Sequence, residues 1–363
     1  MIIFNALQTG LNGGIGRYSY ELSKQLYSDS SLDIKLVVRE QELEKFNFAK
    51  KEDLIIVKNI NNSRDRNIYE QFKLPKLIYK KYPDAIVHYP DSMAPLLSKN
   101  KVIITVHDLA FKAMNNIFTW KSKLWKNFVT AISIRKAYKI IAISDYTKKE
   151  IVRYFGNEYE RKTEVIYNGF NDFSKEEINL GNVRKDLLDL KDKYILTVST
   201  ISPRKNIDGL IRAYNSSDCK NDYKLVIAGA YGWLYEDIIK LVDELGLKNN
   251  VIFTGKINDD ELKYLYKQCS LFAYLSFYEG FGLPPLEAMS YGKICVVSNA
   301  SSLPEVVGDA AIKVDPYNIN EIRLSIENGL KASIIDTEKI IANTKRFSWE
   351  KCAEKTGCVY KMR

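Results

Sequence analysis

Absences set the first limits on this chain. Its 363 residues contain no Asp-x-Asp, no Cys-x-x-Cys among five cysteines (Cys219, Cys269, Cys295, Cys352, Cys358), and only two histidines, His88 and His107. A zinc site or a histidine-rich metal centre is therefore not expected, and a divalent ion held on an acidic pair is disfavoured. The odd number of thiols points to reduced cysteines and a cytosolic compartment. No apolar run reaches about 18 residues, so no membrane span is expected. The start, Met1-Ile2-Ile3-Phe4-Asn5-Ala6, lacks a charged leader and reads as a first strand instead of a signal peptide.

Acidic residues are missing from one long window. Net charge is +9. Residues 109–144 hold no Asp or Glu but seven bases: Lys112, Lys121, Lys123, Lys126, Arg135, Lys136 and Lys139. Phe111, Phe118, Trp120, Trp125 and Phe128 lie among them, with Met114, Ile117 and Leu124 between. Bases interleaved with large aromatics suit an anionic membrane surface. The competing reading is a solvated basic helix whose aromatics pack inward, and the sequence weighs the two evenly. No nucleic-acid-binding motif accompanies the window, so nucleic acid is not an expected partner.

What is present is an ordinary globular composition, 46% hydrophobic and 27% charged, at a length that suggests two domains. Short β-branched runs alternate with helical stretches, the pattern of parallel α/β layers. Strands are expected at 2–5, 34–38, 54–57, 85–88, 102–106, 140–143 and 164–167. After a polar interruption at 171–182 they resume at 194–198, 224–228, 251–253, 271–274, 294–297 and 311–314. The fold class is thus α/β, with two Rossmann-like doubly wound domains facing across a cleft. We place an N-terminal domain at 1–172, a linker at 173–192, a C-terminal domain at 193–345 and a terminal helix at 346–363 that returns to the first domain.

Ligands of such sheets sit at the carboxyl ends of strands, near the switch point. In the first half, Thr9-Gly10-Leu11-Asn12-Gly13-Gly14-Ile15-Gly16 reads as a turn before a helix near 17–27. In the second, Thr200-Ile201-Ser202-Pro203-Arg204-Lys205 reads as a turn before a helix capped by Asn206. Arg204 can fork two phosphate oxygens and Lys205 adds a point charge. Ser276-Phe277-Tyr278-Glu279-Gly280-Phe281-Gly282-Leu283-Pro284-Pro285-Leu286-Glu287-Ala288-Met289 reads as a strand end, a glycine-bounded turn and a proline-started helix. A helix start favours phosphate, and a carboxylate on each side of the turn can accept from hydroxyls. Spacing alone says little, because Glu-x7-Glu also occurs at Glu44/Glu52, Glu150/Glu158 and Glu236/Glu244. Hydroxyls, phosphates and more hydroxyls describe a nucleotide sugar. A dinucleotide is the rival for the first turn, but Ser19 stands where the third glycine of Gly-x-Gly-x-x-Gly belongs.

Taken in order, NGGIGRYSYEL from Asn12, TVHDLAF from Thr105, AISDYTKKEI from Ala142, TISPRKN from Thr200, VIAGA from Val226, VIFTGKI from Val251, YEGFGLPPLEAMSYG from Tyr278, SLPEVVGDAA from Ser302 and FSWEKCAEKT from Phe347 resemble the retaining glycosyltransferases of family 4, which have the GT-B fold. The chain is closest in pattern to the subgroup with a Pro-Arg-Lys-Asn turn. The resemblance implies that Glu279 holds the transferred sugar near its anomeric carbon and that Glu287 binds the ribose hydroxyls. It implies that amides around Phe281, Gly282 and Leu283 touch sugar and phosphates, and that Arg204 and Lys205 neutralise the diphosphate. His107 would lie over the sugar, Gly13, Gly14 and Gly16 would let the first turn approach phosphates or acceptor, and Lys256 and Ile257 would line the donor site. The implied reaction is front-face transfer with retention, needing neither metal nor cofactor. The implied donor is a nucleotide-diphosphate sugar, GDP-mannose preferred. The acceptor would be a saccharide or a lipid-linked saccharide, in surface polysaccharide synthesis at the cytoplasmic face of the membrane. A nucleotide-sugar epimerase, a sugar phosphorylase, an NAD-dependent oxidoreductase and a non-catalytic scaffold stand as alternatives.

Overall fold

The structure, a computed structural model, describes residues 1–11, 13–114, 120–190, 192–331 and 336–362. The chain divides into two compact units, Met1–Gly169 with Phe347–Arg363, and Phe170–Arg346.

The first unit is built on seven parallel strands: β1 (Ile2–Asn5), β2 (Ile34–Arg39), β3 (Leu54–Val57), β4 (Ile86–Tyr89), β5 (Lys101–Val106), β6 (Lys139–Ala142) and β7 (Thr163–Val165). Their spatial order is β3-β2-β1-β4-β5-β6-β7. Ile3 lies opposite Lys35 on β2 and Val87 on β4. All four residues of β1 are buried, as a central parallel strand covered on both faces requires. The order reverses direction between β1 and β4, which makes their carboxyl ends the switch point.

One face of that sheet is covered by the helix Gly13–Ser28, through Tyr18, Leu22 and Leu26. Beside it packs the helix Trp349–Lys361, contributing Trp349, Cys352, Val359 and Tyr360 to the same core. Ser348 caps that helix by accepting from the Lys351 amide at 3.2 Å. A Cβ at Gly169 would come within 2.4 Å of the Trp349 nitrogen, so only glycine lets the chain pass there.

The second unit carries β8 (Lys193–Val198), β9 (Tyr223–Ala228), β10 (Val251–Gly255), β11 (Leu271–Tyr274), β12 (Cys295–Ser298) and β13 (Ile312–Val314), all parallel. Their order is β10-β9-β8-β11-β12-β13, which puts this switch point between β8 and β11. Each strand expected from the sequence overlaps an observed one, with ends shifted by no more than two residues.

The stretch 173–192, expected to be a linker, is instead packed on the second unit. Asn182 donates to Asp260 at 2.7 Å, Arg184 pairs with Glu261 at 2.8 Å, and Lys263 pairs with Glu176 at 2.8 Å. Tyr291 donates to the Phe173 carbonyl at 2.9 Å. Its polarity comes from side chains bonded to the helix Asp259–Gln268, a use that a polar sequence does not distinguish from solvation.

Candidate active site

At the β8–β11 switch point the structure gathers three of the expected residues. Pro203–Lys205 forms a single helical turn after β8, and the Phe277 amide donates to the Arg204 carbonyl at 2.9 Å, tying the loop after β11 to it. Glu279 then lies between two cations. Lys205 Nζ is 2.5 Å from its Oε1 and Arg204 Nη1 is 2.9 Å from its Oε2. Arg204 also donates to the Tyr278 carbonyl at 2.6 Å. Lys205 donates to Tyr274 Oη at 2.7 Å, and Tyr274 donates to Glu279 Oε1 at 3.1 Å.

Burial alone would raise the pKa of Glu279. Lys205 and then Arg204 override it and bring the carboxyl down to about 2. Glu279 is therefore ionised at any working pH, and with two cations against one carboxylate the cluster keeps a net positive charge. Preorganised positive charge in a buried place stabilises an anion that develops beside it.

The turn beyond Glu279 is held from β12's side of the sheet. Ser301, itself at φ +53°, accepts from the Glu279 amide at 2.8 Å. Ser302 donates to the carbonyls of Glu279 and Phe281 at 3.0 and 2.8 Å. Gly282 adopts φ +114°, and a Cβ there would meet Leu303 at 2.5 Å. The helix Leu283–Ser290 follows, with Pro284 and Pro285 in its first turn. Two of the first-turn donors are thereby absent, which leaves the amides of Gly282 and Leu283 as those an α-helix start does not pair internally. Glu287 is buried one turn further and accepts from Tyr266 at 2.9 Å. Lys256 and Ile257 follow β10, which β9 and β8 separate from β11.

Asn206 differs from expectation. It occupies the N-cap position of Ile207–Asn215 but in the left-handed region, φ 54°, and makes no capping bond. Its side chain donates to the Pro316 carbonyl at 2.8 Å, and its Oδ1 crowds the space over Gly209. An asparagine tolerates that backbone, so it serves the tight turn after Lys205 instead of the helix.

In the first unit His107 directly follows β5. Its Nε2 donates to the Pro90 carbonyl at 3.0 Å, and its ring meets Tyr18 edge-on at 4.8 Å. Burial lowers its pKa against the pull of Asp91, so the imidazole is neutral with Nδ1 as an acceptor. The glycine turn is shorter than expected: the helix begins at Gly13, not near 17. Gly13 and Gly14 are its first turn, and nothing lies within 4 Å of a Cβ built on either. Gly16 is buried inside the helix, where a Cβ would sit 2.8 Å from the Gln8 carbonyl, so its first duty is packing against the turn after β1.

The basic window resolves in favour of exposed aromatics. Phe111 is buried, but Trp120, Leu124, Trp125 and Phe128 are exposed along Trp120–Lys136, at spacings of four that keep Trp120, Leu124 and Phe128 on one face. Ile117 and Phe118 lie outside the described residues. Among the described residues no helix is long and apolar enough to cross a membrane.

Sequence reasoning missed Tyr274, Tyr266, Ser301 and Ser302 around the carboxylates, and Asp91 beside His107. Ser302 opens a motif that the sequence did offer, but a serine's carbonyl bonds to a turn about twenty residues away leave no local pattern.

Two doubly wound parallel domains, with polar residues at each switch point, are the architecture of the GT-B fold. Residues 12–172 match the family described as Glycosyltransferase Family 4, and residues 182–347 match Glycosyl transferases group 1. The chain belongs to this glycosyltransferase family. It is 33% identical to O-antigen chain mannosyltransferase B of Escherichia coli over 96% of each chain. It is 27% identical to O-antigen chain mannosyltransferase RfbU of Salmonella typhimurium over 90% of each. Among solved structures, HepE of Anabaena in complex with UDP and glucose superposes with a TM-score of 0.74 at 20% identity, covering 99% of this chain and 98% of that one.

Proposed function

We propose that this glycosyltransferase moves a hexose, mannose from GDP-mannose by preference, to a saccharide acceptor in bacterial surface polysaccharide synthesis. The observation that carries the reading is the Arg204–Glu279–Lys205 cluster at the β8–β11 switch point. The mannose preference draws on the O-antigen mannosyltransferases to which the chain is similar. Arg204 and Lys205 would turn from Glu279 toward the diphosphate, freeing the carboxylate to accept from sugar hydroxyls. Amides of Gly282 and Leu283 would face the phosphates, and Glu287 the ribose. Neutral His107 would accept a hydroxyl proton at Nδ1 in a hydrogen bond that orients the reacting sugars. Transfer would proceed with retention on the face the leaving group departs from, so no carboxylate nucleophile is needed. The two cations would serve where other enzymes use a metal. A lipid-linked acceptor would be met at an anionic membrane surface through the exposed aromatics and bases of Trp120–Lys136.

A panel of GDP-, UDP- and dTDP-sugars read by thermal shift tests the donor, since a ligand of the native state raises its stability. GDP-mannose should give the largest shift, release GDP in the presence of EDTA, and yield an α-linked product by NMR. Another nucleotide sugar giving the largest shift would overturn the donor, a β-linkage the mechanism, and loss of turnover in EDTA the metal-free chemistry. Binding of NAD in place of any nucleotide sugar would sink the whole reading.

A further inference from the structure

Buried in the first unit is a run of polar groups that the proposed chemistry leaves unused. Tyr360 Oη, on the helix Trp349–Lys361, lies 2.6 Å from His88 Nδ1 on β4. His88 Nε2 is 2.8 Å from Thr105 Oγ1 on β5, and Thr105 Oγ1 is 3.2 Å from Tyr18 Oη on the helix Gly13–Ser28. The Tyr18 ring then meets the His107 ring edge-on at 4.8 Å. Tyr18, His88, Thr105 and Tyr360 are all buried. Thr105 and His107 stand two positions apart along the strand direction, which sends both toward Tyr18. Buried hydroxyls and a buried imidazole cost stability unless bonded, and apolar groups of the same shape would fill this space as well. What a fully bonded polar chain adds to such a core is rigidity.

We infer that Tyr18 is a positioning residue for His107, and that the chain through Thr105 and His88 lets Tyr360 of the last helix hold it in place. The inference rests on the role given to His107 in the proposed transfer and names the residues that keep its ring oriented. The bond from His107 Nε2 to the Pro90 carbonyl fixes one corner of the imidazole and leaves the ring able to turn about that bond. An aromatic partner with a preferred edge-to-face geometry removes this freedom only if it is itself immobile. Tyr18 is pinned at its far end, the hydroxyl, by Thr105. Thr105 is fixed in turn by His88, and His88 by Tyr360, 272 positions along the chain. Burial lowers the pKa of His88 to about 3, so the ring is neutral, with one nitrogen that donates and one that accepts. Each link therefore has a hydrogen available whichever tautomer His88 takes, and that tautomer sets the direction of the whole chain. A change at Tyr360 reaches His107 through three hydrogen bonds and one ring contact.

Because the protein has only two histidines, His88 and His107, NMR of histidine labelled with nitrogen-15 reads both imidazoles without ambiguity. Wild type should show His107 as a single Nε2–H tautomer. Tyr18→Phe, Thr105→Val and Tyr360→Phe should each turn it into a mixture of the two tautomers, whereas Thr105→Ser, which keeps the hydroxyl, should retain the wild-type pattern. Tyr360→Phe is the sharpest of these, because a merely local role would move the His88 signals alone. Should that variant fail to fold, Thr105→Val breaks the same chain at its middle. His107 signals unaltered in either Tyr18→Phe or Tyr360→Phe overturn the inference, as does a wild type whose His107 already samples both tautomers. In turnover, Tyr18→Phe should lower kcat about tenfold and leave the donor KM within about twofold, since the cations and carboxylates assigned to the donor lie in the second unit. A raised donor KM with kcat unchanged would refute the positioning role. A wild type that gives the expected spectra yet transfers no sugar would keep this coupling and refute the proposed function, and a transferring wild type whose His107 ignores the variants would refute the coupling alone.

Discussion

Replacing Glu279 by glutamine should tighten binding of the nucleoside diphosphate while slowing transfer by about two to three orders of magnitude. Glu279 holds both cations, with contacts of 2.5 and 2.9 Å, and its pKa near 2 keeps it charged throughout the working range. On the proposed reading a diphosphate competes with this carboxylate for Lys205 and Arg204, and is repelled by it as well. Glutamine keeps the shape and removes the charge. At an effective dielectric near 20, one unit charge at about 6 Å contributes roughly 3 kcal/mol. Partial screening brings the expected gain to about 1–2 kcal/mol, or five- to thirtyfold in Kd.

Isothermal titration with GDP and with GDP-mannose separates the two roles of the residue. GDP should bind the variant more tightly. GDP-mannose should gain less, because glutamine is a weaker acceptor for the sugar hydroxyls than a carboxylate. Turnover should fall by about 10²–10³, the range for losing one preorganised electrostatic group. If GDP bound the variant more weakly than wild type, Arg204 and Lys205 would not be the diphosphate's partners, and the assignment of the whole cluster would fail.

Gly282→Ala should lower kcat/KM at least tenfold, because φ +114° and Leu303 at 2.5 Å force the turn to shift; steady-state kinetics check it. Tyr360→Phe should destabilise the first unit by about 1–2 kcal/mol in urea unfolding, since it strips the partner 2.6 Å from His88 Nδ1, whose pKa burial has lowered to about 3. Glu70 has its pKa raised from 4.5 to about 7, so its contribution to stability is full below pH 4.5 and is lost as pH rises through about 7. Glu70→Gln should remove that decline, and an unchanged stability–pH profile would contradict it. Anionic vesicles should sediment the protein at low salt and release it at high salt, less so after Trp120→Ala with Phe128→Ala; no sedimentation at low salt would leave the aromatic face without a membrane role.

The strands were legible because a parallel sheet covered on both faces demands continuous apolar runs, and β1 to β13 supply them within two residues of their observed ends. Lys205 and Glu279 were legible as motif members, yet nothing in the sequence says that they touch: 74 positions separate them, and only the adjacency of β8 and β11 brings their loops together. Asn206 was misread because an N-cap position and a left-handed turn favour the same residue, and only the backbone angle tells them apart. The start of the first helix was placed late because glycines at 13, 14 and 16 weaken helix propensity, which packing on β1 overrides. The basic window was undecidable in sequence, since an aromatic at helical spacing faces the core or the solvent according to which face the helix buries. Val129, Thr130, Ser133 and Ile134 turn inward from Trp120–Lys136, and that choice puts Trp120, Leu124 and Phe128 outside.

The same electrostatics accounts for how one turn can hold two cations side by side and still be stable. Two unpaired cations held this close in a largely buried turn would each lower the other's pKa and strain the loop that carries them. Glu279 relieves that repulsion, and Tyr274 links Lys205 to Glu279 Oε1, so the turn is an internally bonded cluster with one residual positive charge. On the proposed reading the donor exchanges one anion for another: its diphosphate takes over Lys205 and Arg204, and the released carboxylate turns to hydroxyls of the sugar beside it. A nucleotide without its sugar would free Glu279 and give it nothing to bind, whereas the intact donor satisfies both. Selectivity for the intact donor over the free nucleotide thus follows from placing the sugar's acceptor and the phosphate's cations in one ion cluster, and it should vanish in Glu279→Gln together with the competition that creates it.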